Sequence, residues 1–243
     1  MSLPPNFGQA FDLSSLTKPK VDPSTPMSGI TVTVENLSTE ILPLSLTRPV
    51  IVLMWSARSP ESVDMIKKAK SEGLNITCST SIHHLVFTEN ELLKAYNTNF
   101  KLNPPLRSEN DRLALLEGVK NGTIDCVSSH HTPQNKDAKV CEFEYAGYGV
   151  IGLQAAFGVL NSTGLEIDQI LEAICFKPRE IFNLESHIEV GAKVDLTLFD
   201  LNISYVITKE NLVSKSENSP YLGKTLTGKV MATLQQDKFY INA

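Results

Sequence analysis

Between residues 50 and 128 the chain alternates strand-sized runs with amphipathic stretches, and this rhythm constrains the fold more than any other feature of the sequence. Residues 50–55 are wholly apolar and of strand length. Ser59-Pro-Glu-Ser62 follows as a helix start, with Pro60 in the first turn, Val63, Ile66 and Ala69 on one face, and Gly73 at the end. Residues 75–79 form the next strand. A polar, loop-rich segment runs from 80 to 108, in which Thr88-Glu-Asn-Glu91 has the spacing of a capping box before a short helix. A helix is predicted over residues 111–119, with Leu113, Leu116 and Val119 on a stripe and Asn121-Gly122 as the stop; residues 123–127 are again a strand. Strand, helix, strand is the pattern of parallel α/β architecture, in which strands are buried on both faces and chemistry gathers at their C-terminal ends.

The flanks differ. Residues 1–28 hold five of the 13 prolines and few apolar residues, the composition of a disordered tail. Residues 30–34 alternate as a strand, residues 37–46 read as a short helix, and with the strand at 50–55 they make a β-α-β opening. Residues 167–184 are a helix interrupted near Lys177-Pro178. From Val190 onward the runs 195–199, 205–208, 227–234 and 238–241 alternate and are separated by turn residues, which predicts an antiparallel β region.

A net charge of −5 with 22 basic residues spread along the chain offers no footprint for a phosphate backbone, so no nucleic-acid partner is expected. No run approaches the roughly 20 apolar residues of a membrane span. Pro4, Pro5 and Asp12 stand where a secretory signal would be basic and then apolar, so a cytoplasmic location is expected. Cys78, Cys126, Cys141 and Cys175 form no Cys-x-x-Cys pair and read as free thiols.

Three places offer chemistry. His83-His84 stands just beyond a strand end, and His130-His131 follows the strand at 123–127. Neutral imidazole is a zinc ligand or a proton shuttle, but adjacent histidines point in opposite directions, so one of each pair serves a site while the other packs. Asn103-Pro-Pro-Leu-Arg107 is a stiff loop whose Asn103 and Arg107 suit a carboxylate or an amide ring, or are simply solvated. Gly147-Tyr-Gly-Val-Ile-Gly152 has dinucleotide-loop spacing but follows a polar stretch instead of an apolar strand, which argues against a nucleotide.

Asn75-Ile-Thr-Cys-Ser-Thr-Ser-Ile-His-His-Leu85, Asn99-Phe-Lys-Leu-Asn-Pro-Pro-Leu-Arg107, Asp111-Arg112, Gly122-Thr-Ile-Asp125, Ser129-His-His-Thr-Pro133, Ile151-Gly-Leu-Gln154 and Gly191-Ala-Lys-Val-Asp-Leu-Thr-Leu-Phe199 together resemble the C-terminal half of a dihydroorotase. The resemblance implies the metal-dependent amidohydrolase superfamily, a partial (β/α) barrel followed by a β domain, and interconversion of dihydroorotate and carbamoyl aspartate in pyrimidine biosynthesis by zinc-bound hydroxide. It places His83, His84 and His131 at the metal site, Asn103, Arg107, Gln134 and Gly152 against a dihydroorotate-like small molecule, and His130 at the catalytic position. Where the family pattern reads Thr-Asp-His-Ala-Pro-His, this chain has Ser129-His130-His131-Thr132-Pro133-Gln134, so a histidine replaces the catalytic aspartate. A complete barrel takes about 250 residues before its β domain is added, more than the 243 present, and the sequence has no His-x-His pair. Zinc is therefore expected of the family and not of this chain alone.

Residues 30–60 resemble the start of a thioredoxin-like domain, with Arg48-Pro-Val-Ile-Val-Leu-Met-Trp55 as its strand; Ser56 and Ser59 occupy the places of the redox cysteines and exclude disulfide exchange. The expected organisation is a tail (1–28), a thioredoxin-like segment (29–60), the C-terminal part of an amidohydrolase barrel (61–189) and a β domain (190–243). Two functions are compatible with it: a cyclic-amide hydrolase of dihydroorotase type that is incomplete and inactive alone, or a non-catalytic fusion or scaffold. Under the second, open sheet edges favour homo-oligomers.

Overall fold

The computed structural model describes residues 61–73, 76–184 and 188–241, together with residues 36, 39, 40 and 43. The expected tail and, apart from those four residues, the thioredoxin-like segment lie outside the described residues, as do the strands expected at 30–34 and 50–55. Residues Leu53–Ala243 form one compact unit, distinct from Met1–Val52.

Helix α1, Glu61–Ser71, buries Ile66 and Ala69, carries Lys68 and Lys70 in its last turn, and stops at Gly73, whose φ of +78° suits a glycine. Lys70 Nζ reaches both carboxylate oxygens of Asp125, at 2.7 and 2.8 Å, and the same carboxylate accepts the Cys78 N–H at 2.9 Å. That carboxylate ties α1 to the N-terminal end of a parallel pair: β1, Ser79–Ser81, and β2, Cys126–Ser128, run in register from Ser79 opposite Cys126 to Ser81 opposite Ser128. Both strands start about three residues later than the apolar pattern predicts. The Asp125 side chain takes the Cys78 N–H, while the Asp125 and Cys126 N–H groups both go to the Cys78 carbonyl, so regular pairing begins only beyond them.

Between these strands lie α2, Ile82–Val86, α3, Asn90–Ala95, and α4, Glu109–Lys120. The capping box expected at Thr88 is not made; α3 starts after Glu89 with no side-chain cap, and Thr88 is buried. The box stands instead at α4, where Ser108 accepts the Asp111 N–H and Asp111 accepts that of Ser108. Leu113 is 48% exposed, so the buried stripe of α4 is Leu115, Leu116 and Val119. Arg112 fixes this rotation by donating to the Leu85 carbonyl at 3.0 Å.

Helix α5, Ala156–Asn161, precedes a nearly continuous helical run made of α6, Ile167–Leu171, a π turn, Glu172–Phe176, and α7, Lys177–Ile181. The interruption expected at Lys177-Pro178 is this π turn, one turn ahead of a proline that has no N–H to donate to the residue four back. The C-terminal sheet is antiparallel in the order β3, Asp195–Val206, β4, Thr225–Gln235, β5, Lys238–Ile241. Two expected strands merge in β3, with register shifts after Leu198 and Asp200 absorbing the irregularity. Phe157 of α5 packs on Phe199 of β3 at 4.5 Å, and Asn161 Nδ2 donates to the Leu201 and Thr227 carbonyls. One buried cluster runs from Ile82 and Leu85 through Val150 and Leu160 to Ile207, Tyr221 and Leu226, so the α/β part and the sheet share a core. Among the described residues no helix is long and apolar enough to cross a membrane.

Candidate active site

The ends of β1 and β2 deliver the two histidine pairs to one region. Because α2 starts directly after β1, His83 turns inward and is fully buried, while His84, one residue on, faces the other way. Past β2, His130 adopts φ +45°, an uncommon backbone for a side chain bearing a Cβ, and His131 bridges in parallel to Val150. The His83 and His130 rings stand with centroids 6.2 Å apart at 55°.

Each imidazole has different partners. His83 Nδ1 shares a hydrogen bond of 2.9 Å with the Tyr221 hydroxyl, and Tyr221 stacks on the ring at 5.7 Å. Nε2 of His83 and Nδ1 of His130 are both buried with no hydrogen-bond partner. Burial holds the His83 ring far below the ordinary histidine range, at about 3, and the neighbouring His130 and His84 rings add to the shift. His84 Nε2 donates to the Pro104 carbonyl at 3.1 Å, which leaves Nδ1 to accept from Ser81 Oγ at 2.7 Å; burial lowers its pKa as well. His131 Nδ1 accepts the backbone N–H groups of Gly152 at 3.3 Å and Leu153 at 3.2 Å.

Gly152 is wedged in this centre. A Cβ there would stand 2.6 Å from the Ser129 carbonyl oxygen and 2.7 Å from His83 Cε1. Gln134 lies off the pair, with its side-chain amide donating to the Tyr148 carbonyl at 2.7 Å and its N–H to Asn218. Asn103 is exposed on the loop that His84 anchors, and Arg107 lies further along it, its carbonyl accepting the Glu89 N–H. Of the residues singled out from sequence, His83, His130, His131 and Gly152 come together, whereas His84 faces away and Gln134 is tied into a surface loop.

Two residues of the site escape sequence reasoning. Tyr221, 1% exposed, and Asn218, whose Nδ2 donates to the Thr132 and Gly149 carbonyls, lie in Asn218-Ser-Pro-Tyr-Leu-Gly223, which reads locally as a turn. Buried lysines brace the loop around the site. Lys101 Nζ donates to the Phe143 and Glu144 carbonyls, and Lys139 Nζ to those of Thr98 and Gly147. Burial, with Lys101 nearby, draws Lys139 down to about 8.

No family model matches the chain. Among curated proteins it is 43% identical over 184 residues to a dihydroorotase of Caldicellulosiruptor saccharolyticus, covering 73% of this chain and 43% of the relative. It is 38% identical to the dihydroorotase of Brevibacillus brevis, with the same shares covered. Among solved structures it superposes on L-hydantoinase from Arthrobacter aurescens with a TM-score of 0.69 and 26% identity, over 75% of this chain and 43% of that one. An inactive dihydroorotase-like domain of the Chaetomium thermophilum CAD-like multifunctional protein matches in fold with a TM-score of 0.57 at 21% identity, over 82% of this chain and 53% of that one.

The described unit therefore has the fold of the amidohydrolase superfamily, as a partial α/β barrel with an attached antiparallel sheet. Over about three quarters of its length its sequence is similar to dihydroorotases. It spans about 43% of the length of the curated relatives it matches.

Zinc is the group this resemblance implies, and a hydrolytic zinc site takes three protein ligands and an open position. Among the described residues two buried nitrogens, His83 Nε2 and His130 Nδ1, lack a hydrogen-bond partner. His84 spends both nitrogens on Ser81 and Pro104, His131 Nδ1 is held by backbone N–H groups, and Asp125 is paired with Lys70. Among the described residues no group of three His, Cys, Asp or Glu side chains is placed to hold a metal ion. These residues do not fit a complete hydrolytic zinc centre.

Proposed function

We propose that this chain is a dihydroorotase-type domain that does not open or close the dihydroorotate ring by itself. The observation that carries the reading is His130, an imidazole in the place where the resemblance implies a catalytic carboxylate, beside His83, with no group of three such ligands among the described residues. A neutral imidazole pair supplies neither the negative charge that would hold a dication nor the carboxylate that receives the substrate proton. Asn103 stands exposed on its loop, and Gly152, at the end of the 147–152 segment, packs against His83; these are the two loops that the resemblance sets around a small cyclic amide. A non-catalytic scaffold role in a larger assembly accords with this, and a complementary chain supplying the remaining ligands would restore turnover.

The test is to follow dihydroorotate absorbance with the purified full chain and added zinc, in both reaction directions. The expected rate equals the buffer control. Turnover proportional to protein concentration, and abolished by His83→Gln, contradicts the proposal.

A further inference from the structure

The two orphaned nitrogens leave open which nitrogen of His83 carries its hydrogen, and its neighbours decide it. A neutral imidazole has one N–H and one lone pair. The Tyr221 hydroxyl has a single partner among the described residues, His83 Nδ1 at 2.9 Å, and Tyr221 is 1% exposed. If Nδ1 carried the hydrogen, it would donate to the phenol oxygen, and the phenol hydrogen would be left in the core without an acceptor, at a cost of roughly 1–3 kcal/mol. Nε2 would then present a lone pair to its surroundings. Nε2 has no hydrogen-bond partner whichever way the hydrogen lies, so this arrangement strands two groups, the phenol hydrogen and Nε2. In the opposite arrangement the phenol donates to Nδ1, and Nε2, now bearing the hydrogen, is the one group left unpartnered.

We propose that Tyr221 is a positioning residue that holds His83 in the Nε2–H tautomer and thereby withdraws Nε2 from metal ligation. A nitrogen that carries hydrogen has no lone pair to give a metal. Metal-bound histidines show the reverse arrangement, in which the remote N–H donates to an acceptor behind the ring and frees the other nitrogen. Here a donor stands where that acceptor would be. The inference is independent of the proposed function: lack of turnover needs only missing ligands, whereas the tautomer is a property of His83 and Tyr221 that persists whatever the activity.

The test is nitrogen NMR of the full chain carrying 15N-labelled histidine, with His83 assigned through bonds from the backbone. At neutral pH the expected signature is a protonated Nε2 and an unprotonated Nδ1, unchanged on addition of zinc chloride. Tyr221→Phe, which keeps the ring and removes the donor, is expected to convert at least half of His83 to the Nδ1–H form. A protonated Nδ1 in the unaltered chain, displacement of the Nε2 hydrogen by zinc, or an unchanged tautomer in folded Tyr221→Phe each overturns the proposal. Should that variant not fold, the unaltered chain with and without zinc decides the matter alone.

Discussion

His83 and Gly152 set the behaviour of the centre one residue at a time. His83 titrates at about 3 when folded because burial disfavours its charge, against about 6.5 in an unfolded chain. The unfolded state therefore binds a proton first as pH falls. The sign follows: the contribution of His83 to stability is intact above pH ~6.5 and is lost between there and pH ~3, at a slope approaching 1.4 kcal/mol per pH unit. Chemical denaturation of the unaltered chain and of His83→Gln from pH 7 to 4 checks this, the variant being expected to show a shallower slope; parallel slopes would refute it. Gly152 leaves no room for a methyl group, with the Ser129 oxygen at 2.6 Å and His83 Cε1 at 2.7 Å from it. Gly152→Ala is expected to destabilise by about 1–3 kcal/mol, measured as a lower urea midpoint at constant m. The histidine pairs were legible in sequence as residues at strand ends, but alternation misses that His130 and His131 both stay at the site, because His130 adopts φ +45° and leaves the strand geometry. Tyr221 was not legible, because 138 residues separate it from His83 in the chain and a turn sequence gives no sign of what its tyrosine touches.

Elements follow from local sequence where the signal is chemical and drift where it is only apolar. Gly73 and Asn121-Gly122 end α1 and α4 as expected, since a left-handed terminus has few alternatives. The antiparallel order β3, β4, β5 also follows from alternation, because each strand is separated by turn residues. The strands β1 and β2 are displaced by about three residues because Asp125, a side chain, substitutes for the first ladder bonds, and no period in the sequence encodes that. The capping box was sought at Thr88 when it stands at Ser108, since the hydroxyl-x-x-acid spacing also arises where the hydroxyl residue is buried. Ser108→Ala is expected to lower stability by about 1 kcal/mol through loss of the α4 cap. Thr88→Ser, which removes a methyl group and no cap, is expected to leave the helical circular dichroism unchanged; equal loss of helix signal in both would place the cap wrongly.

Fold and donors do not match in this chain: the amidohydrolase-type fold is present, and no group of three His, Cys, Asp or Glu ligands is found among the described residues. The core joins barrel part and sheet as one folded unit. The family resemblance was legible in the ordered motifs from Asn75 to Phe199, and the sequence relatives and the shared amidohydrolase fold agree with it over about three quarters of the chain. Two departures from the family pattern are legible in the sequence, His130 and the absence of a His-x-His pair, whereas the engagement of His84 and His131 with other partners is seen only in the structure. A single His130→Asp change is accordingly expected to give no measurable dihydroorotate turnover, because one carboxylate with His83 still leaves fewer than three ligands; activity in that variant would mean that further ligands are already in place. The deficit is read out by the zinc content of the purified full chain after equilibration with excess zinc and removal of unbound metal by gel filtration. Zinc far below one ion per chain, unchanged by His83→Gln, is expected, whereas one or two tightly held ions per chain that disappear in that variant would show that the donors suffice.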